Sequence, residues 1–451
     1  MYTSGLRGIP AGRAGSPLRG SASLIGSSTT VKADSIRLVA AASLIGTTIE
    51  WYDFFLYGTA AALVFHRLYF PTFDPLAGTL AAFGTYTVGF VARPIGGVVI
   101  GHYGDRIGRK SMLVMTLVIM GLSTCGIGLL PTYAQIGPWA PVLLVALRLA
   151  QGFGVGGEWG GAVLMAVEHA PERARGFYGS WPQIGVPAGL LLSTAVFTVL
   201  ARLPEPQFLS WGWRVPFLLS VLLVGIGLVI RLHILETPAF ARITEAGAQA
   251  RRPLVEVLRT HTRELLLAIG VRLAENASFY IYTVFVLVYA TEKVGMGKET
   301  VLGGIVLAAA CSLVAIPTCG ALADRLGRRP VYLFGACATA LFAYPLFLLL
   351  DTGSAPLVWL SLVVALVFAH APMYGPQGAF LSELFDTRIR YSGASLGSQL
   401  SSVVAGGLSP FIATMLLPYG PATLASYLIV MAAFTIAAVL AAAETRDRAI
   451  E

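Results

Sequence analysis

A charged segment of ten residues, Gly101-His-Tyr-Gly104-Asp105-Arg106-Ile-Gly108-Arg109-Lys110, stands between two long apolar runs, and it occurs twice. The second copy is Gly320-Ala-Leu-Ala-Asp324-Arg325-Leu-Gly327-Arg328-Arg329, with Asp105 and Asp324, and Arg109 and Arg328, each 219 residues apart. Another pair follows at an offset of 215, Glu168 with Arg173-Ala-Arg175-Gly and Glu383 with Arg388-Ile-Arg390-Tyr. Repetition at a fixed distance is the trace of a fold made twice from one unit. Among apolar helices it points to a two-half transporter whose site lies between the halves.

Of 451 residues, 56% are hydrophobic and 12% charged, about half the charge a soluble domain uses to cover its surface. Windows of roughly 20 apolar residues recur along the chain, the length that crosses a bilayer core. The expected class is therefore all-α, a polytopic membrane protein of 12 spans in two pseudo-symmetric six-helix bundles. The net charge of +8 does not imply nucleic acid, because Lys and Arg are sorted by side. Of 31, the even-numbered loops and both tails hold 23, and only Arg67, Arg202, Arg214, Lys293 and Lys298 fall opposite. The positive-inside rule then puts both termini and both charged segments in the cytoplasm of a cell whose inner membrane holds the protein. Cys125, Cys311, Cys319 and Cys337 lie in apolar segments without metal-ligand company and read as small core residues.

Residues 1–35 read as a disordered cytoplasmic tail rich in Gly, Ser, Ala and Arg, or as the product of a start codon placed too early. The amino-terminal bundle spans 36–235, with helices at about Leu38–Phe65, Leu76–Ile100, Met112–Leu130, Pro141–Val167, Phe177–Leu200 and Val215–Leu235. Residues 236–263 form a polar cytoplasmic linker with a short surface helix. The carboxyl-terminal bundle, 264–443, holds helices at about Leu265–Ala290, Val301–Ala323, Val331–Leu350, Leu357–Phe380, Ala394–Leu417 and Ala422–Ala443. A short cytoplasmic tail, 444–451, follows. Both charged segments read as loops.

Seven ionisable residues fall inside spans: Glu50, Asp53, Arg93, Arg148, Glu158, Arg272 and Glu275. Each must face protein, a partner or water, since a lone charge at mid-bilayer costs about 2.5–3.5 kcal/mol. Glu50, Asp53 and Tyr57, spaced i, i+3, i+7, share one face of the first helix. A carboxylate pulled one way by burial and the other by a nearby arginine can take and release a proton. Asp53 and Glu50 are thus candidate proton carriers, with Arg148 as the tuning cation and Glu158 as a third acid. The alternative is a static ion pair that fixes helix packing. Arg93 is either a cavity residue or a snorkelling side chain. Arg272 and Glu275 fall near the membrane edge on these boundaries; should they reach the cavity, the Arg272 guanidinium suits a carboxylate. Further polar candidates for a solute site are Gln151, Trp181, Gln183, Asn276, Tyr280, His370, Tyr374, Gln377 and Gln399.

Gly152-Phe-Gly154-Val-Gly156-Gly157 has dinucleotide-fingerprint spacing, but no strand precedes it. Gly152, Gly156 and Gly160 instead recur every four residues, a close-packing face for a neighbouring helix.

The G-x-x-x-D-R-x-G-R-[RK] pattern after the second span, echoed after the eighth, resembles the signature loop of the major facilitator superfamily. Within it, Gly46-Thr-Thr-Ile-Glu50-Trp51-Tyr52-Asp53-Phe54-Phe55, Arg93-Pro94-Ile-Gly96-Gly97, Arg148-Leu-Ala-Gln151-Gly152-Phe-Gly154-Val-Gly156-Gly157-Glu158-Trp159-Gly160 and Glu383-Leu-Phe-Asp-Thr-Arg388-Ile-Arg390-Tyr391-Ser-Gly393 are similar to metabolite:proton symporters. Those carriers include ones for shikimate, 2-oxoglutarate, citrate and proline or betaine. Gly185-Val-Pro187-Ala-Gly189 only partly matches the Gly-Pro motif of drug exporters.

The resemblance implies that Asp105 sits on the amino end of the eleventh helix near Gly393, and Asp324 on that of the fifth near Gly176. It implies pairs Arg109–Glu168 and Arg328–Glu383, with Arg106, Arg325, Arg175 and Arg390 completing a cytoplasmic gate. A carboxylate at a helix amino terminus gains roughly 0.3–2 kcal/mol. The blander alternative is that these charges only fix topology. The expected function is proton-coupled import of a small organic acid or zwitterion by a monomer in the bilayer, with no cofactor or metal. An exporter or uniporter of the same fold remains open, as does a transport-inactive sensor; a membrane-embedded enzyme lacks a plausible catalytic cluster.

Overall fold

A computed structural model describes residues 33–73, 75–200, 202–233 and 253–448, without the side chains of 33–35, 62, 63, 75–80, 82, 83, 109, 231, 233 and 253. Most of the expected tail 1–35 and linker 236–263 lies outside these residues. The described chain is helical and holds no strand. The amino-terminal half contains α1 (Ala33–Ala60, continued by a π turn Ala61–Phe65), α2 (Pro75–Ile107), α3 (Arg109–Leu129), α4 (Trp139–His169), α5 (Glu172–Leu200) and α6 (Glu205–Ile230). The other half contains α7 (Thr262–Lys293), α8 (Lys298–Leu326), α9 (Arg328–Asp351), α10 (Ala355–Glu383), α11 (Arg390–Tyr419) and α12 (Pro421–Ala441). Ten of these twelve are long and apolar enough to cross a membrane by length and composition among the described residues; α1 and α2 have the length as well. A short helix Pro253–Thr260 precedes α7 and buries Val257.

The charged segments are not loops, as their composition suggests. α2 and α8 run on through Asp105 and Asp324, and each helix pair is joined by a single glycine, Gly108 at φ 126° and Gly327 at φ 106°. No proline stands within the charged segments before those glycines, and at that φ only glycine is free of Cβ strain. This explains the fixed spacing from Asp to Gly: the carboxylate must stand on the last helical turn before the joint.

The four-residue glycine repeat splits between two partners. A Cβ on Gly152 would lie 2.2 Å from the Gly89 carbonyl oxygen, and one on Gly156 2.0 Å from that of Arg93, so both seat α4 on the backbone of α2. Gly160 instead faces Ser395 and Tyr391 of α11, in the other half. Gly156→Ala must push α2 and α4 apart. It is expected to cost about 1–3 kcal/mol, read as a lower melting temperature of the purified protein.

The halves also meet at two glycine crossings. A Cβ on Gly176 of α5 would be 2.5 Å from the Gly320 oxygen of α8, and one on Gly320 2.5 Å from the Gly176 oxygen. At the repeat-related place, Gly101 of α2 packs on Ser392 of α11.

Candidate functional site

Next to these crossings, two carboxylates cap helices of the opposite half. Asp105 accepts the backbone N–H groups of Tyr391 at 3.3 Å and Ser392 at 2.9 Å, and the Ser392 hydroxyl at 2.8 Å. Asp324 accepts those of Gly176 at 2.7 Å and Phe177 at 2.8 Å. Arg328 joins Asp324 at 2.6 Å and grips Glu383 with Nε and Nη2 at 3.2 and 3.1 Å. Arg390 bonds Glu168 across the halves at 3.1 Å. The side chain of Arg109 lies outside the described residues. Arg175, expected in the gate, donates to the Arg448 carbonyl oxygen of the carboxyl-terminal tail at 2.8 Å and stands 3.5 Å from Glu172 of its own half. Arg106 and Arg325 are exposed rather than buried between the halves, because residues adjacent on a helix point about 100° apart. The tail contributes Glu444, which accepts the first N–H groups of α9 from Arg328 and Arg329, and Thr445, which donates to Glu383 at 2.7 Å.

Between the halves, at mid-length of the helices, is a cavity of about 30 Å³. Its wall carries Glu50 and Trp51 of α1, Arg93 of α2, Trp159 of α4, Arg272, Glu275, Asn276 and Tyr280 of α7, Tyr374 of α10, and Ser398 and Gln399 of α11. Arg93 is no snorkelling side chain: it is 4% exposed and its guanidinium lies over Trp51, Phe54 and Phe90. Arg272 and Glu275 do not sit near the membrane edge either. α7 starts at Thr262 and carries them two to four turns inward.

The Arg272 guanidinium reaches from one half to the other. Nη1 donates to Ser398 at 2.6 Å, Nη2 stands 3.5 Å from Glu275, and the group lies 4.8 Å from the Trp159 ring centroid. Its Nε is buried without a hydrogen-bond partner. Gln377 links Glu275 at 2.8 Å to the Tyr332 hydroxyl at 3.1 Å. Gln183 of α5 accepts from the Trp159 indole at 2.8 Å and reaches Gln377 at 3.4 Å, which closes a polar belt across both halves. Trp181 does not line the cavity. It is half-buried near the start of α5 against Phe177.

Glu50, Asp53 and Tyr57 separate. Asp53 faces the interior of its own half, where Thr124 of α3 donates to Oδ2 at 2.9 Å and Ser220 of α6 donates to Oδ1. Successive i, i+3 positions differ by about 60° around a helix, and with α1 wedged between its neighbours that angle suffices. Arg148 does not pair with Asp53. It donates to the side-chain oxygen Oε1 of Gln151, and Gln151 Nε2 donates to Thr124 at 2.8 Å, which makes a chain Arg148–Gln151–Thr124–Asp53. The guanidinium is stacked on Tyr57 at 4.2 Å and on Phe54 and Tyr86 at 4.9 Å. Tyr57 is fully buried and bonds Thr85. Glu158, off the cavity, accepts from Thr116 at 2.6 Å.

Sequence reasoning missed Thr124, Ser220, Tyr86 and Trp159. Ser220 left a signal, a hydroxyl in the apolar run Phe217-Leu-Leu-Ser220-Val-Leu-Leu. α7, α10 and α11 each bear a π turn beside the cavity, Ile281–Phe285, Ala365–His370 and Ser402–Gly407, and these turns had no signal in periodicity.

The Major Facilitator Superfamily profile matches residues 43–410. The chain is 45% identical to the shikimate transporter of Escherichia coli (strain K12), over 86% of this chain and 90% of that one. It is 44% identical to the inner membrane metabolite transport protein YhjE of the same strain, covering 91% and 95%. It is 34% identical to the proline/betaine transporter of Salmonella typhimurium, covering 95% and 87%. Its fold superposes on the proton:xylose symporter XylE with a TM-score of 0.70 at 18% identity, over 90% of this chain and 95% of that one. The duplicated charged segments, the twelve helices in two halves and the cavity between them thus have one common explanation: the chain belongs to the major facilitator superfamily and is a multi-pass membrane transporter, not an enzyme.

Proposed function

We propose that this transporter imports a small carboxylate or carboxylate-bearing zwitterion together with a proton, across the cytoplasmic membrane, as a monomer with both termini inside. The observation that carries the reading is the cavity wall, where each half contributes one arginine and one glutamate, Arg93 and Glu50 against Arg272 and Glu275. A guanidinium forks a carboxylate, and Ser398, Gln399 and Asn276 suit hydroxyl or amino groups of the same solute. Its relatives' printed substrates, shikimate and proline or betaine, all carry a carboxylate. A cavity of about 30 Å³ holds roughly two waters, so a metabolite enters only as the walls move. Binding and opening are therefore coupled.

Asp53 is the proton carrier in this scheme, and the Thr124 hydroxyl is its switch. That hydroxyl has one hydrogen and two acceptors, Asp53 Oδ2 and the Met120 carbonyl oxygen, each at 2.9 Å. With Asp53 ionised, Thr124 and Ser220 both donate to it. With Asp53 protonated, Thr124 turns to Met120, and no buried polar group is orphaned in either state. Through Gln151 the turn reaches Arg148 and the Tyr57–Tyr86 wall. Glu50 and Glu158 are further acids that this switch does not need.

The caps Asp105 and Asp324, with Arg328–Glu383 and Arg390–Glu168, act as the cytoplasmic latch. Asp324→Asn keeps one acceptor and loses the charge, a loss of about 1–2 kcal/mol from the closed state. Labelling of a cysteine introduced at Ala379, behind the latch, is expected to speed up roughly five- to thirtyfold. Unchanged labelling would remove the latch.

The reading as a whole is tested by uptake of labelled shikimate into proteoliposomes under an imposed pH gradient. Accumulation abolished by a protonophore supports symport. Uptake at an unchanged rate without the gradient indicates a uniporter, and solute expelled as protons enter indicates an exporter.

A further inference from the structure

We infer that His370 and Glu275 form a second proton-binding site, in the carboxyl-terminal half, whose charge sets the affinity of the cavity for an anionic solute. The inference rests on the carboxylate reading above.

His370 Nε2 stands 3.3 Å from Glu275 Oε1, with the two side chains 3% and 4% exposed. The other glutamate oxygen already has Gln377 at 2.8 Å and Arg272 at 3.5 Å. One guanidinium balances one carboxylate, so the cluster is neutral with a neutral imidazole and carries +1 with an imidazolium. The remaining groups around it do not cancel that change. Tyr280 on α7, Tyr332 on α9 and Tyr374 on α10 are phenols, uncharged near neutral pH. Glu50 and Arg93, facing from the other half, add one charge of each sign, and α8 and α11 present Ser312 and Ser398. Histidine is the side chain whose charge changes between pH 5 and 8.

The backbone holds the imidazole in place. His370 is the last residue of the π turn in α10, and Pro372, which has no N–H to give to the preceding turn, stands two residues on. The imidazole packs on Phe279 at 5.2 Å and Tyr374 at 4.9 Å, so neighbours on both α7 and α10 fix its orientation. It also lines a second void of about 10 Å³ with Thr283 and Ser312, room for roughly one water to deliver a proton.

The consequence follows from the shared carboxylate. An imidazolium donating to Oε1 compensates Glu275, and Arg272 is released to a solute. Nε of Arg272 has no partner and Nη2 has only the long contact to Glu275, so the side-on fork of the guanidinium is the edge set free. A cluster of +1 is complementary to a single carboxylate. By linkage the proton and the anion each favour the other's binding.

The test uses the full chain in lipid nanodiscs, with shikimate as the probe. In one arm, 15N-histidine NMR from pH 8 to 5, with the signal assigned by its loss in His370→Gln, is expected to show the His370 imidazole passing from neutral to doubly protonated. An imidazole that stays neutral throughout overturns the proposal. In the other arm, shikimate affinity is read by tryptophan fluorescence at pH 5.5 and 8. With Asp53→Asn in the background, so that the amino-terminal carrier does not titrate, it is expected to fall roughly 5- to 150-fold at the higher pH with His370 intact and to be the same at both with His370→Gln added. Retained pH dependence in that variant overturns the coupling. His370→Asn replaces it should glutamine not fold. Titration of the imidazole without any shikimate binding upholds the proton site and overturns the carboxylate reading.

Discussion

Asp53→Asn is expected to remove most of the accumulation of solute against its gradient while leaving exchange of solute across the membrane intact. The substitution keeps the shape of a side chain that is fully buried between α1, α3 and α6, and removes only its capacity to carry a proton. The fold has the means to tolerate it. The asparagine oxygen accepts from one of the two hydroxyls, and the Thr124 hydroxyl can turn to the Met120 carbonyl oxygen, leaving its own oxygen to accept from the new amide. The stability cost is therefore on the order of 1 kcal/mol, a shift of a few degrees in melting temperature. Transport should separate cleanly. In proteoliposomes the variant equilibrates labelled shikimate and supports counterflow, and an imposed pH gradient raises its uptake only as far as the His370–Glu275 site binds a proton. Accumulation at the wild-type level would show that the carrier is another acid, with Glu50 next in line because it lines the cavity itself.

The second large effect is expected at Arg272. Lysine keeps the charge but offers a single point of attachment where the guanidinium offers Nε and Nη2 side by side. It also leaves the Ser398 hydroxyl and the face of Trp159 without their partner. Hydrogen bonds to charged groups are worth about 1.5–3 kcal/mol each, so Arg272→Lys should weaken shikimate binding about ten- to a hundredfold. Arg93→Lys provides the comparison, since that guanidinium is held by three aromatic faces in the opposite wall. Equal losses would divide the solute carboxylate between the halves. A loss confined to Arg272 assigns it to α7. Wild-type affinity in Arg272→Lys would remove this residue from the solute site, and a melting curve separates loss of binding from loss of fold.

Much of the architecture was legible in the sequence because the constraints that set it are local or periodic. Apolar length sets the number of spans, and the 219-residue repeat sets the two halves. The caps by Asp105 and Asp324 were legible through resemblance, and their joints through the glycine that follows three residues later. The charged segments misled because composition was read as polarity and therefore as loop, whereas a charged helix can project beyond the bilayer. Glu50 and Asp53 misled differently. Face sharing at i, i+3 is a statement about one helix, and the contacts of Thr124 and Ser220 belong to two others. Arg272 was misplaced because the polar residues Thr262 to Glu264 look like linker yet form the first turn of α7. His370 was visible as a polar residue in an apolar span, but its partner lies 95 positions away and only the fold joins them.

The paired glycines where α5 crosses α8 have a consequence for speed. Gly176 and Gly320 meet backbone to backbone, with the small Ser180 side chain and the heads of Asp324 and Arg328 beside them, so no large interlocked side chains must be lifted out of register there when one half tilts over the other. Such a contact is a bearing with little friction. The resistance to turning is then concentrated in the carboxylate caps beside it, and turnover should respond to changes in those few hydrogen bonds far more than to the bulk of the residues packed around the seam.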